Sequence, residues 1–272
     1  MPELPEVETV RLGLEKQLLG VTVEQITVRQ SSLRWPVPSS LAGKMHGQQF
    51  RKISRRGKYL LFDMNNGVML AHLGMSGVLW VCPQQEALKK HDHVIFNLAK
   101  GLSLRYHDPR RFGCIDWVEG DPYQHKLLKH LGPEPLESDF DAEYLYSNLQ
   151  KQKRAIKVAI MDHKLVVGIG NIYAAEALFA LRIHPLTPAN TLSYAQCCDL
   201  VHQSRELLQS AIKQGGTTLR DFINPEKKPG YFKQSLAVYG RKGQPCHICG
   251  ESICSVVIGQ RASAFCAQCQ KI

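Results

Sequence analysis

The sequence predicts an α+β protein, in which an N-terminal helix and antiparallel strands precede a helical region and a small cysteine module. Three observations carry that prediction. Apolar residues recur at three- and four-residue spacing over the first 20 positions, and short strand-like runs separated by turn residues follow up to about residue 130. Beyond residue 139 the apolar spacing is helical. Two Cys-x2-Cys pairs then occupy the last 30 residues.

In order along the chain, Leu4, Val7, Val10, Leu14 and Leu18 form one helical stripe, and Gly20 stands where a helix stop is expected. Strand signals follow at Val21-Thr22-Val23, Tyr59 to Met64 and Val68 to Leu73. Asn65-Asn66-Gly67 marks a hairpin turn between the last two. His93 to Leu98 and Leu102 to His107 flank Lys100-Gly101 in the same way, so this part reads as a sandwich or flattened barrel. Gly132-Pro133-Glu134-Pro135 breaks both periodicities and is read as the start of a linker over 132–138. Helical spacing resumes in Tyr144 to Leu149, Ala155 to Met161, Ile172 to Leu181 and Tyr194 to Ile212. Domains are therefore expected over 1–131, 139–236 and 237–272.

The charge distribution restricts the partner. The chain carries 34 Lys and Arg against 24 Asp and Glu, and from Lys213 onward nine basic residues face three acidic ones. Basic charge concentrated in this way suits a polyanion, although a solvated basic face would look the same. No apolar run reaches the roughly 18 residues that span a bilayer, and Glu3, Glu6 and Glu8 are unlike a secretory leader. A soluble protein of the cytoplasm, with no membrane partner, is expected.

Cys246-x2-Cys249 and Cys266-x2-Cys269 are separated by sixteen residues, the spacing with which two knuckles bind one tetrahedral Zn²⁺. Two disulfides are disfavoured because the other five cysteines are scattered and nothing suggests secretion. One structural zinc per chain is expected, held by four thiolates and contributing most of the module's folding free energy. Glu251 to Phe265 reads as a hairpin with its tip at Gly259-Gln260-Arg261, and Cys254 reads as a packing residue.

The start, Met1-Pro2-Glu3-Leu4-Pro5-Glu6, has a chemical reading. Removal of Met1 would expose a secondary amine with a reference pKa of about 8, able to attack a sugar C1′ and form an iminium. MPELPEVETV, SRRGKYL at 54–60, HLGMSG at 72–77, HDH at 91–93, DPRRFG at 108–113, GIGNIYAAE at 168–176, RIHP at 182–185 and the cysteine module occur in one order along the whole chain. Together they resemble the bacterial formamidopyrimidine-DNA glycosylases, bifunctional 8-oxoguanine DNA glycosylases and apurinic/apyrimidinic lyases.

The resemblance implies an N-terminal catalytic β-sandwich domain, a helix-two-turn-helix DNA-binding domain and a zinc-finger hairpin. Among the residues of this chain it implies Pro2 as nucleophile and Glu3 as acid and base. Lys58 and Arg261 are implied at the phosphates of the lesion. Met75, Arg110 and Phe112 match residues that fill the hole left by an extruded base, because C1′ cannot be attacked inside a stack. His91, Arg111, Lys157 and Asn171 match phosphate or structural positions, with Asn171 expected to cap the helix that follows Gly168-Ile169-Gly170. Glu6 reads either as a carboxylate that holds the site or as an exposed one favoured by the helix dipole. The stretch from Gly215 to Thr218 resembles the start of a lesion-capping segment. Ala262-Ser263-Ala264-Phe265 and Ala267 depart from the family pattern, which bears on the rigidity of the hairpin. Implied partners are damaged duplex DNA and no second copy of the chain. Two rivals stay open: the sister endonuclease VIII-like class, whose usual start has Gly where Leu4 stands, and a zinc-ribbon DNA-binding protein without catalysis.

Overall fold

Helix α1 spans Leu4–Leu18 in a computed structural model that describes residues 2–217 and 235–272. Its stripe of Val7, Val10, Leu14 and Leu18 is buried, and Pro5 sits in the first turn, where a missing N–H costs nothing. Gly20 follows the helix at φ 74°, a conformation that suits a residue without Cβ.

The chain divides into two units. In the first, which runs to Lys129 and takes in Gln214–Thr217, α1 covers two four-stranded antiparallel sheets. One sheet has the order β1-β6-β7-β5, with β1 at Val23–Val28, β5 at Val78–Pro83, β6 at Asp92–Leu98 and β7 at Leu102–His107. The other has the order β2-β3-β4-β8, with β2 at Lys52–Arg56, β3 at Tyr59–Asp63, β4 at Val68–His72 and β8 at Cys114–Val118. A short helix, α2, lies at Leu41–Met45. Alternate residues Val94, Phe96 and Leu98 of one sheet and Leu60, Phe62, Met69 and Ala71 of the other join the α1 stripe in a single core.

Both expected hairpins form. The turn before β4 brings Gly67 so close to Trp117 that a Cβ would lie 2.5 Å from its ring, and Lys100 and Gly101 both adopt positive φ between β6 and β7. The first expected strand is shifted: Val21 and Thr22 precede β1, which begins at Val23 and runs on to Val28. Strands β2, β5 and β8 have no counterpart in the sequence reading. Strand β2, Lys-Ile-Ser-Arg-Arg, buries Ile53 alone among polar residues, so its alternation is carried by one side chain.

The second unit contains α3 (Ala142–Leu149), α4 (Ile156–Ile160), α5 (Asn171–Ala180) and α6 (Tyr194–Lys213). Asp141 caps α3 by accepting from the Tyr144 N–H at 2.7 Å. Ser193 and Gln196 form a reciprocal capping box at α6. Helix α5 is buried on all sides from Ile172 to Phe179. The Gly132–Pro135 segment is hydrogen-bonded into this unit, through Gly132 N–H to His163 O and Val167 N–H to Pro133 O. Arg205 of α6 donates to the carbonyls of Pro135, Glu137 and Phe140. A two-stranded hairpin completes the unit, β9 at Cys254–Ile258 and β10 at Arg261–Phe265. Among the described residues no helix is long and apolar enough to cross a membrane.

Candidate active site and nucleic-acid interface

The head of α1 concentrates buried polar chemistry. Pro2 is buried, and Glu3 and Glu6 are only 2% and 1% exposed, a placement that requires hydrogen bonds to offset lost hydration. Glu3 donates its backbone N–H to Glu6 Oε2 at 2.9 Å, half of a capping box. Glu6 Oε1 accepts both the N–H and the hydroxyl of Thr217, each at 2.8 Å. Glu6 is thus a buried anchor, not an exposed first-turn carboxylate, and it fixes residue 3 and the chain at 217 together. Neighbouring Gly216 has φ 77°, and a Cβ there would sit 3.0 Å from Glu6 Oε1.

Polar contacts also dock α1 on β2. Glu8 accepts from Arg11 and from Arg55, while Arg11 donates to Glu15 and to the Ile53 carbonyl. Gly57 and Lys58 form the two-residue turn between β2 and β3, with Gly57 at φ 57° as the first turn position demands. Arg55 steadies this turn by donating to Gly57 O at 2.9 Å. Lys58 stands half-buried at its tip.

A second group lies where two turns meet. Met75 belongs to the turn between β4 and β5, and Arg110 and Phe112 belong to the one between β7 and β8. Met75 is half-buried and Phe112 is 44% exposed, with the Arg110 guanidinium 5.0 Å from the centre of its ring. Arg111 is exposed, at φ 57°. His91 packs edge-on against His93 and His107, and its carbonyl accepts from the Asp108 N–H.

Sequence reasoning missed His72. Its ring packs on Tyr59 at 4.7 Å and its Nδ1 accepts from the Gly74 N–H at 3.0 Å. Burial, reinforced by the positive charges of Lys58 and Arg34, lowers its pKa to about 4. The ring is therefore neutral near pH 7 and its proton resides on Nε2.

In the second unit, α4, α5 and the β9-β10 hairpin converge. Gly170, not Asn171, is the N-cap of α5. This corrects the expected capping role: Asn171 is the first helical residue, and its side-chain amide donates to the Ala262 carbonyl on β10 at 3.0 Å. Lys157 lies in the first turn of α4 and is 1% exposed. Its neighbour Val158 packs against the hairpin tip, where a Cβ on Gly259 would lie 3.1 Å away. Gly259 and Gln260 form that tip, both at positive φ, and Arg261 follows, exposed. Despite its departures from the family pattern, the hairpin pairs in unbroken register from Ile258 with Arg261 to Cys254 with Phe265. His184 packs edge-on against Phe265 at 4.6 Å.

The four cysteines form a structural zinc site. The Sγ atoms of Cys246, Cys249, Cys266 and Cys269 all lie within 4.8 Å of one another. Cys249 and Cys266 are 3.4 Å apart and Cys246 and Cys269 are 3.9 Å apart, against about 3.8 Å for tetrahedral Zn–S bonds of about 2.3 Å. Ile248 N–H donates to Cys246 Sγ, the kind of outer contact that holds a thiolate for a metal. Cys254 is exposed, which overturns its expected packing role. It is the first residue of β9, where alternation points it away from buried Ile253.

Comparison with known proteins places these features in one lineage. Residues 1–115 match the formamidopyrimidine-DNA glycosylase N-terminal domain, residues 131–223 the formamidopyrimidine-DNA glycosylase H2TH domain, and residues 243–272 the zinc finger found in FPG and IleRS. The formamidopyrimidine-DNA glycosylase of Hydrogenovibrio crunogenus is 51% identical over 271 residues, covering 100% of this chain and 97% of that protein. That of Methylococcus capsulatus is 49% identical, with both chains covered in full. The crystal structure of MutM (Fpg) from Thermus thermophilus superposes with a TM-score of 0.90 at 37% identity, covering 99% of this chain and 98% of that one. Wild-type Lactococcus lactis Fpg in complex with DNA containing N7-benzyl-Fapy-dG gives 0.93 at 34% identity, with both chains covered in full. With all three family models matched and relatives near half identity along its whole length, the chain belongs to the formamidopyrimidine-DNA glycosylase family.

Proposed function

We infer that this chain is a base-excision repair glycosylase and apurinic/apyrimidinic lyase that removes oxidised purines from duplex DNA, with Pro2 as its nucleophile. The observation that supports this assignment most is the buried pair Glu3 and Glu6 directly behind residue 2. The amine of Pro2 attacks C1′ of the damaged nucleoside, the C1′–N bond to the base breaks, and an iminium forms. The iminium forms as the C1′–O4′ bond of the sugar ring opens and Glu3 protonates the departing ring oxygen, while Glu6 holds Glu3 in place through its backbone N–H. The iminium acidifies C2′–H. Loss of that proton expels the 3′-phosphate, and a second elimination releases the 5′-phosphate.

Lys58 and Arg261 meet phosphates at the lesion, and His91, Lys157 and Asn171 support the DNA backbone. The start of α5 adds the positive end of its helix dipole. Met75, Arg110 and Phe112 enter the stack as the damaged base leaves it. Arg110 offers only donors, which suits the O2 and N3 acceptors of an orphaned cytosine. The zinc is structural, because four thiolates leave no open coordination position. The protein acts as a monomer in the bacterial cytoplasm.

Borohydride trapping on a duplex with 8-oxoguanine opposite cytosine tests this assignment. The mature protein should give a covalent adduct. Pro2→Gly should bind the duplex with unchanged affinity yet lose about 100-fold or more in single-turnover excision. An undiminished adduct in the variant would remove Pro2 as nucleophile, and no adduct in the parent would favour a DNA-binding protein without catalysis.

A further inference from the structure

Asp108 is fully buried at the junction of the two turns that carry Met75, Arg110 and Phe112. Its Oδ1 accepts the Ser76 hydroxyl at 2.8 Å, and its Oδ2 accepts the Gly113 N–H at 2.8 Å and faces the Tyr106 hydroxyl at 3.2 Å. Its carbonyl takes His93 Nε2 at 2.9 Å and the Arg111 N–H at 3.1 Å. The Ser76 hydroxyl oxygen in turn accepts the Arg110 N–H at 3.3 Å.

The backbones are equally close. A Cβ on Gly74 would lie 2.5 Å from Gly113 N, and one on Gly113 would lie 1.6 Å from the Tyr106 hydroxyl. Only glycine permits this approach, and the carboxylate supplies acceptors for donors that the approach would otherwise strand in the interior.

We propose that Asp108 is a positioning residue that locks the 73–77 and 108–113 turns into one rigid wedge, so that Met75 and the Arg110–Phe112 pair enter DNA as a unit. The proposal rests on the reading of those three residues as the stack-filling group. A wedge whose halves moved independently would lose the entropy of ordering them at each base extrusion; a preordered one has already lost it on folding. Asp108 touches no DNA in this scheme. Its loss is felt when a paired base must be evicted and not when chemistry begins at a site already open.

The test compares two substrates under single-turnover conditions: 8-oxoguanine opposite cytosine in a duplex, and an abasic site in single-stranded DNA, where no partner base is displaced. Asp108→Ala should lower the ratio of duplex excision to single-strand cleavage about 10-fold, as expected for buried donors left without an acceptor. It should also reduce the fluorescence rise of 2-aminopurine placed beside the lesion. Asp108→Asn should restore most of the ratio, because its carbonyl can face Gly113 while Ser76 turns to accept from the amide. If Asp108→Ala does not fold, Ser76→Ala should shift the ratio in the same direction by about 3-fold. An unchanged ratio, or equal loss on both substrates, overturns the proposal. Hydrogen exchange of the free protein decides the clamp independently of activity. The Gly113 and Arg110 amides should exchange at least about 10-fold faster in Asp108→Ala, and equal protection would refute the clamp even if the parent cleaved neither substrate.

Discussion

His72 shows how the polar interior of the first unit couples to solvent pH. Its unfolded pKa is near 6.5 and its folded pKa near 4, so the folded state resists protonation that the unfolded state accepts. Stability from neutral His72 is therefore complete above about pH 6.5 and is lost as pH falls toward 4, by about 2–3 kcal/mol for this side chain. His72→Gln should flatten the difference between urea midpoints measured at pH 7 and pH 4.5. An acid-induced loss as steep as the parent's would show that other groups carry it. Residues with a motif of their own, such as Pro2, Glu3, Lys58 and Arg261, stood out in the sequence because their neighbours were distinctive. His72, Ser76, Asp108 and Thr217 lie in stretches that were equally distinctive but drew no role of their own, since each takes its meaning from a partner elsewhere in sequence, as Thr217 does from Glu6 across 211 positions.

Among elements, the zinc hairpin and α5 behave as one piece. Asn171 to Ala262, His184 against Phe265, and the side-chain amide of Gln270 donating to the Ile183 carbonyl fasten the cysteine module to the helices. Loss of metal should therefore loosen the hairpin without unfolding the larger cores. Cys266→Ser, or treatment with a strong chelator, should weaken binding to lesion duplex by at least about 10-fold. It should leave the main thermal transition within about 5 °C of the parent's. Tight binding by a protein shown to be metal-free would refute this role for the module. This hairpin was legible in the sequence because two Cys-x2-Cys pairs and a Gly-Gln turn bracket it. Strands β2, β5 and β8 were not, for different reasons. Strand β2 is polar except at Ile53, and β5, Val-Leu-Trp-Val-Cys-Pro, is apolar on both faces and lacks alternation. Asn171 misled because a Gly-x-Gly-Asn string leaves the cap position one residue uncertain, and Gly170 took it.

For the molecule as a whole, net charge sets how DNA is approached. A formal charge of +10 favours encounter with any duplex, so discrimination between lesion and undamaged DNA must come from something other than net charge. Arg261→Ala should reduce the slope of log binding constant against log salt by about one, with little change in preference between lesion and undamaged duplex. An unchanged slope would mean that Arg261 makes no phosphate contact. The carboxylate of Glu176, in the middle of α5, accepts the backbone N–H groups of Ala237, Val238 and Tyr239, and Val238 packs with Phe179, Cys246 and Cys266. This anchorage has a consequence for biosynthesis. Ala175 and Phe179, which share a buried cluster with Cys246 and Cys266, leave the ribosome well before those thiols, so the platform exists before its metal ligands do. Closure of the metal site is accordingly a late event of synthesis, and a shortage of zinc would leave chains with finished cores and an unfinished grip on DNA.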